Sequence, residues 1–351
     1  MNNTSAPTTI YDLYKDAGVN TRLVVLNGAK GLAAFVGLLL NLNLIWVTYK
    51  NRSLHGSCNY CIALNSLCNV AYLASHVGDI LVFVTGINFI ELWMCSYFLY
   101  IPVAGLTGSY VASFFIAFDR VLSILRPTWQ HYQNSVCYVA ILCGVTLMYG
   151  LFMDYLMLLA VINDPHKPLM CYAADIYNLP MGPLVQKINM CVCFMTFGSY
   201  IILWIALKIA MRRHFGNNVR STQRIFKALV AILVFELITW YHTGIVKIFL
   251  GQIKFSANLE TNYTIGVLTC FVSIVTGGNA PILYFFSSEY RKAFKEQFSS
   301  AIFCKVKSSK SRSMSSIQTV SINRSVASIR SISVPIITET KSSEKKNHLW
   351  H

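Results

Sequence analysis

Long apolar runs separated by short polar ones set the rhythm of this chain. They cover residues 27–49, 58–84, about 95–120, 136–161, 184–211, 224–250 and 262–286. Each reaches the roughly 20 residues that a helix needs to cross a bilayer. The pattern predicts an all-α membrane protein with a seven-transmembrane helix bundle over residues 27–286. Residues 1–20 are polar and lack the basic-then-apolar order of a signal peptide, and 1–26 form the expected N-terminal segment before the first span. No internal repeat at a fixed period is visible.

After the last run the period changes. Tyr290, Phe294 and Phe298 recur at i, i+4 and i+8, while Arg291, Lys292 and Lys295 take the other face. That spacing predicts an amphipathic membrane-surface helix over 287–304. Residues 305–351 are basic, hold 13 serines and have few aromatics. They form an expected disordered cytoplasmic tail. Cys304, just before it, is a candidate lipidation site.

Composition agrees with the pattern. The chain is 55% apolar and 12% charged, against about 25% charged in soluble domains. Its 11 cysteines are odd in number and lie mostly in apolar runs. They suit buried thiols better than a disulfide framework. A formal charge of +15 would suggest nucleic acid in a soluble protein; here its distribution speaks of topology, and no nucleic-acid partner is expected. Placing the first, third and fifth connections and the tail in the cytoplasm gives that side 22 of the 29 Lys and Arg. The N-terminus is then extracellular. Sequons at Asn2, Asn3 and Asn262 fall on the outer side in that orientation. The expected location is the plasma membrane, as a multi-pass protein.

The third run carries the candidate chemistry. Cys95 to Phe118 holds no charge, and Asp119 and Arg120 then arrive together. As a helix, the 25 residues from Cys95 to Arg120 extend roughly 37 Å. One helix thus holds a cysteine at one membrane face and an acid–base pair at the other. A further cysteine, Cys171, lies in the polar loop 163–181.

Ionisable groups inside a membrane are costly and usually functional. His76 and Asp79 stand one turn apart on the second run, Asp154 on the fourth, and Glu236 on the sixth with Trp240 four residues on. A polar ligand pocket and simple mutual pairing, His76 with Asp79, weigh about evenly. Lys30 on the first run is expected to snorkel outward.

Three stretches carry a family resemblance: NLNLIWVTYKNRSLHGSCNYCIALNSLCN from Asn41, FDRVLSILRP, and GGNAPILYFFSSEYRKAF. In this order, with Cys95 and Cys171, they make the chain resemble a rhodopsin-like G-protein-coupled receptor. The nearest likeness is to the nematode serpentine chemoreceptors of the Srsx-like group. The resemblance covers about 27–298. It implies a Cys95–Cys171 disulfide, G-protein coupling through Asp119 and Arg120, and a switch at Asn279, Pro281 and Tyr284. It also implies a ligand pocket from Tyr100, Val103 and Thr107 with His76, Asp79, Glu236 and Trp240.

Departures shape the expectation. Valine follows Arg120 where tyrosine is usual, and Ala280 stands where the seventh-helix asparagine usually precedes proline. Asn69 replaces an acid that binds sodium in many receptors. Pro102 stands where amine receptors keep an aspartate, which disfavours an amine ligand. The last run has no lysine, so a retinal Schiff base is excluded.

The expected function is a chemosensory receptor that switches heterotrimeric G proteins on binding a small molecule. The alternative is a peptide-activated neuromodulatory receptor of the same fold. Expected partners are the ligand, a heterotrimeric G protein, arrestin and the lipid bilayer. A transporter is disfavoured by the lack of repeats and broken helices with paired polar sites. No enzyme motif, cofactor site or metal-ligand spacing is present.

Overall fold

A computed structural model describes residues 18–125, 136–173, 179–213 and 259–297, with isolated positions 11, 15, 230, 231, 234 and 299. The chain divides after Phe298 into two units, and the elements below lie in the first. In order these are helices α1 (Thr21–Lys50), α2 (Ser57–Val84), α3 (Leu92–Leu125), α4 (Val136–Asn163), α5 (Gly182–Arg213), α6 (Leu259–Gly277) and α7 (Asn279–Phe286). Residues 288–297 are also helical. The predicted sixth run, 224–250, lies outside the described residues except at 230, 231 and 234.

Four helices are long and apolar enough to span a membrane: α1, α3, α4 and α5 over Gly182–Ala206. A bent pair, Thr269–Gly277 with Asn279–Phe286, makes a fifth if it crosses as one span. Among the described residues the architecture is therefore an all-α, multi-pass membrane fold.

Helix ends depart from the apolar runs because a helix does not stop where lipid stops. α1 starts six residues before the predicted run, at a polar cap. The side chain of Asn20 accepts from Arg22 N at 3.0 Å and Leu23 N at 3.4 Å. The seventh run is broken rather than continuous: α6 and α7 meet at 42° around Gly278. Pro281 sits in the first turn of α7, where its missing N–H costs no internal bond.

α3 is the hub. It packs against α2, α4 and α5, while α1 joins α2 and α6. Its apolar window is 72% buried, against 33% for α1 and 22% for α4. Outer helices instead expose Leu32, Phe35, Val36, Leu147 and Met148, as residues that meet lipid should. Pairing without a water-driven force favours small residues at contacts. Gly37 and Gly277 meet backbone to backbone; a Cβ on Gly277 would stand 2.6 Å from the Gly37 Cα. Gly105 likewise lets α3 lie against the Cys68 carbonyl of α2.

Two apolar clusters fill the bundle. One, at the Asp119 end, includes Leu44, Leu54, Cys58, Ile116, Leu283 and Phe294. The other, at the Cys95 end, includes Leu73, Leu99, Val103, Met153, Met157 and Val185.

Candidate functional site

The Cys95 end is tied to the loop between α4 and α5. Cys95 and Cys171 are joined by a disulfide with Cα atoms 5.5 Å apart. A short antiparallel ladder, β1 (Ile90–Glu91) with β2 (Pro168–Leu169), aligns the same loop. Leu92 N and Trp93 N then donate to Lys167 O at 2.9 Å and Pro165 O at 3.0 Å. These bonds occupy donors that the first turn of α3 would otherwise leave open. His166 and Trp93 both bond the Glu91 carboxylate and hold it below the usual carboxylate range.

At the far end of α3, Asp119 is 1% exposed. Its Oδ2 accepts from Ser57 Oγ at 3.0 Å and its Oδ1 from Tyr138 OH at 3.1 Å. Asp119 also acts through its charge on the Arg120 guanidinium. Arg120 is half-buried. Its guanidinium neighbours Cys58 and Tyr290, and its Nε has no hydrogen-bond partner. Tyr290 lies in the 288–297 helix, 2% exposed, with its hydroxyl 3.5 Å from Thr48 Oγ1. Burial pushes that phenol well above its ordinary range.

Asn279 is 4% exposed, while Pro281 and Tyr284 are half-buried. The Tyr284 ring meets Phe294 edge-on at 6.1 Å. Arg291 Nε donates to Tyr284 O at 3.0 Å, and the same guanidinium also reaches Phe285 O. Nearby, Asn41 Nδ2 donates to Thr276 O at 3.1 Å. Asn69 donates to Asn65 Oδ1 at 2.9 Å, and Asn65 to Ser113 Oγ at 2.7 Å. Neutral Asn69 thus donates to an amide oxygen, and Asn65 links it onward to the Ser113 hydroxyl.

Of the ligand-pocket residues, His76 and Asp79 are each 2% exposed and meet at 3.0 Å between Nδ1 and Oδ2. Lys30 overturns its expectation. It is 3% exposed, and its Nζ lies 2.7 Å from the same Asp79 oxygen. Gly31 makes this reach possible, since a Cβ there would strike Ile80 of α2 at 2.1 Å. The stem of Lys30 points into the bundle, where snorkelling is closed to it. Above it sits Tyr172, the ring 4.3 Å from Nζ and the hydroxyl donating to Asn27 Oδ1 at 3.2 Å.

Tyr100 is half-buried, and Val103 and Thr107 are fully buried. The Thr107 hydroxyl donates to Val103 O at 2.8 Å within its own helix. Asp154 is half-buried with no partner for Oδ1. Glu236, Trp240 and Cys304 lie outside the described residues. Lys30 was findable, as a charge near the outer end of the first run; Tyr172 carried only its place beside Cys171.

A buried polar cluster and a disulfide at one end of a central helix, and an Asp–Arg pair at the other, define a receptor-type multi-pass membrane protein. The family described as Serpentine type 7TM GPCR chemoreceptor Srsx matches residues 34–298, and the chain belongs to that family. Its members are receptors and not enzymes. The chain is also 23% identical over 201 residues to Chemerin-like receptor 1 of Rattus norvegicus, covering 51% of this chain and 53% of the relative. It is 25% identical over 204 residues to Chemerin-like receptor 1 of Sus scrofa, covering 51% and 54%. The chain thus spans about half the length of the curated relatives it matches.

Proposed function

We propose that this protein is a chemosensory receptor of the plasma membrane that switches heterotrimeric G proteins on binding a small molecule. The observation behind it is the build of α3: Cys95 bonded to Cys171 at one end, Asp119 and Arg120 at the other. In this reading the N-terminus and the disulfide face outward, and the Asp–Arg end faces the G protein.

Arg120 is the coupling group. At rest it lies beside Cys58 and Tyr290 with an unused Nε donor. Outward movement of the predicted sixth helix lets its planar donor fork meet the backbone of an inserted G-protein helix. Asn279, Pro281 and Tyr284 serve as the switch. The break at Gly278 leaves α7 free to re-angle, and Tyr284 passes that change to Phe294. Phosphorylation of the serine-rich tail adds roughly −1.5 to −2 charges per site, which suits arrestin.

Expression with a promiscuous G protein, under a screen of odorants, other small molecules and short peptides, tests the proposal. A small-molecule response lost in Arg120→Ala at equal surface expression supports it. Responses to peptides alone would replace the ligand class. Responses unchanged by Arg120→Ala would refute the coupling role.

A further inference from the structure

Three segments converge on Asp79: α1 through Asn27 and Lys30, α2 through Tyr72, Ser75 and His76, and the loop through Tyr172. The Lys30 ammonium at 2.7 Å keeps Asp79 an ionised carboxylate. A ring nitrogen 3.0 Å from that carboxylate must bring a proton, so His76 Nδ1–H donates to Asp79 Oδ2. Ser75 Oγ, 3.4 Å from Nδ1, spends its own proton on Tyr72 O at 2.8 Å.

The charge count decides the state of the ring. Lys30 and Asp79 cancel. A protonated imidazole would add an uncompensated cation in a site 2% exposed. The neutral ring with its proton on Nδ1 leaves Nε2 as a bare lone pair. That atom is buried and, among the described residues, has no hydrogen-bond partner. A buried acceptor without a donor is costly and uncommon, and calls for one. Tyr72 meets the ring edge-on at 5.1 Å and belongs to the apolar cluster that also holds Ala34 and Leu73. The Tyr172 side chain covers the cluster beside the disulfide.

We infer that His76 Nε2 is the ligand-reading atom of the site, taking a neutral N–H or O–H donor carried on a small apolar body. An ammonium ligand is disfavoured because Lys30 already balances Asp79. A ligand carboxylate or ether would set lone pair against lone pair. This rests on the receptor reading and names the ligand class for it.

The test uses matched probes on purified full-length protein in nanodiscs: indole against 1-methylindole, and phenol against anisole. Each pair keeps its ring and loses its donor. Ligand-observed NMR titration should find the donor member bound about tenfold tighter. His76→Phe keeps a ring beside Tyr72 and should erase the difference. If that variant does not fold, His76→Asn removes the same lone pair and takes its place. Equal affinities within each pair, a preference that survives in the variant, or no binding of either donor would overturn the inference. No G protein enters these measurements. Selective binding without signalling would keep this site and refute the receptor proposal. Signalling by the methylated probes alone would do the reverse.

Discussion

Ser57 Oγ donates to Asp119 Oδ2 at 3.0 Å across 62 residues of chain. With Tyr138 on the other oxygen, Asp119 ties α3 to α2 and α4. The acid of the Asp–Arg pair is therefore also a brace between helices, and Arg120 neighbours Cys58, Asp119 and Tyr290.

A brace of this kind has a measurable strength. Hydrogen bonds to a charged group contribute about 1.5–3 kcal/mol each. Ser57→Ala and Tyr138→Phe should each lower the melting temperature of purified protein. Together they should raise basal G-protein activity, since α3 loses two ties beside Arg120. An unchanged melting temperature in the double variant would show that the two donors contribute nothing.

Lys30 and Asp79 form a buried pair whose halves depend on each other. Removing one partner of such a pair costs roughly 3–5 kcal/mol, whereas replacing both by apolar groups is often neutral. Lys30→Met should destabilise strongly, and Lys30→Met with Asp79→Leu should recover most of the loss. Additive losses in the double-mutant cycle would mean that the contact carries no coupling.

The α1–α6 contact is expected to tolerate no side chain. Gly277→Ala puts a Cβ 2.6 Å from the Gly37 Cα, so the two helices must separate. Gly198→Ala meets nothing within 4 Å on α5 and should stabilise by up to about 1 kcal/mol through helix propensity. Thermal melts of the two variants should shift in opposite directions.

Glu91 offers a pH test at the exposed rim of the disulfide end. Its carboxyl is held low, first by His166 and then by Trp93. A depressed acid contributes stability that is present above its unfolded value. That stability is lost as pH falls through its folded value, so acidification below the ordinary carboxylate range should loosen the β1–β2 ladder. The pair is exposed and screened by salt, so the effect should be small. Hydrogen exchange at Ile90 and Leu169, in parent and His166→Gln, should converge at low pH. A constant difference down to strongly acid pH would exclude this contact as the cause.

Six of the apolar runs foretold described helices, α1 to α5 from one run each and α6 with α7 from the last, because a bilayer imposes length and hydropathy on any helix that crosses it. The spacing of Tyr290 and Phe294 announced a helix expected to lie on the membrane surface; in the structure both rings pack into the protein's own apolar cluster with Leu44 and Leu283. Family resemblance carried the Cys95–Cys171 pairing, which lone spacing would have left open. Sequence also marked His76 and Asp79, since two ionisable groups one turn apart must share a face.

Tertiary structure decided the partners. Periodicity assigns a residue to a face of its own helix but does not say which helix it meets, or at what height. Lys30 could reach lipid headgroups or the bundle interior with the same stem; Gly31 against Ile80 drew α1 close enough for it to find Asp79. Asp119 next to Arg120 looked like a pair in one dimension. In three, Ser57 and Tyr138 from other helices also bond the acid, which no spacing along the chain announces.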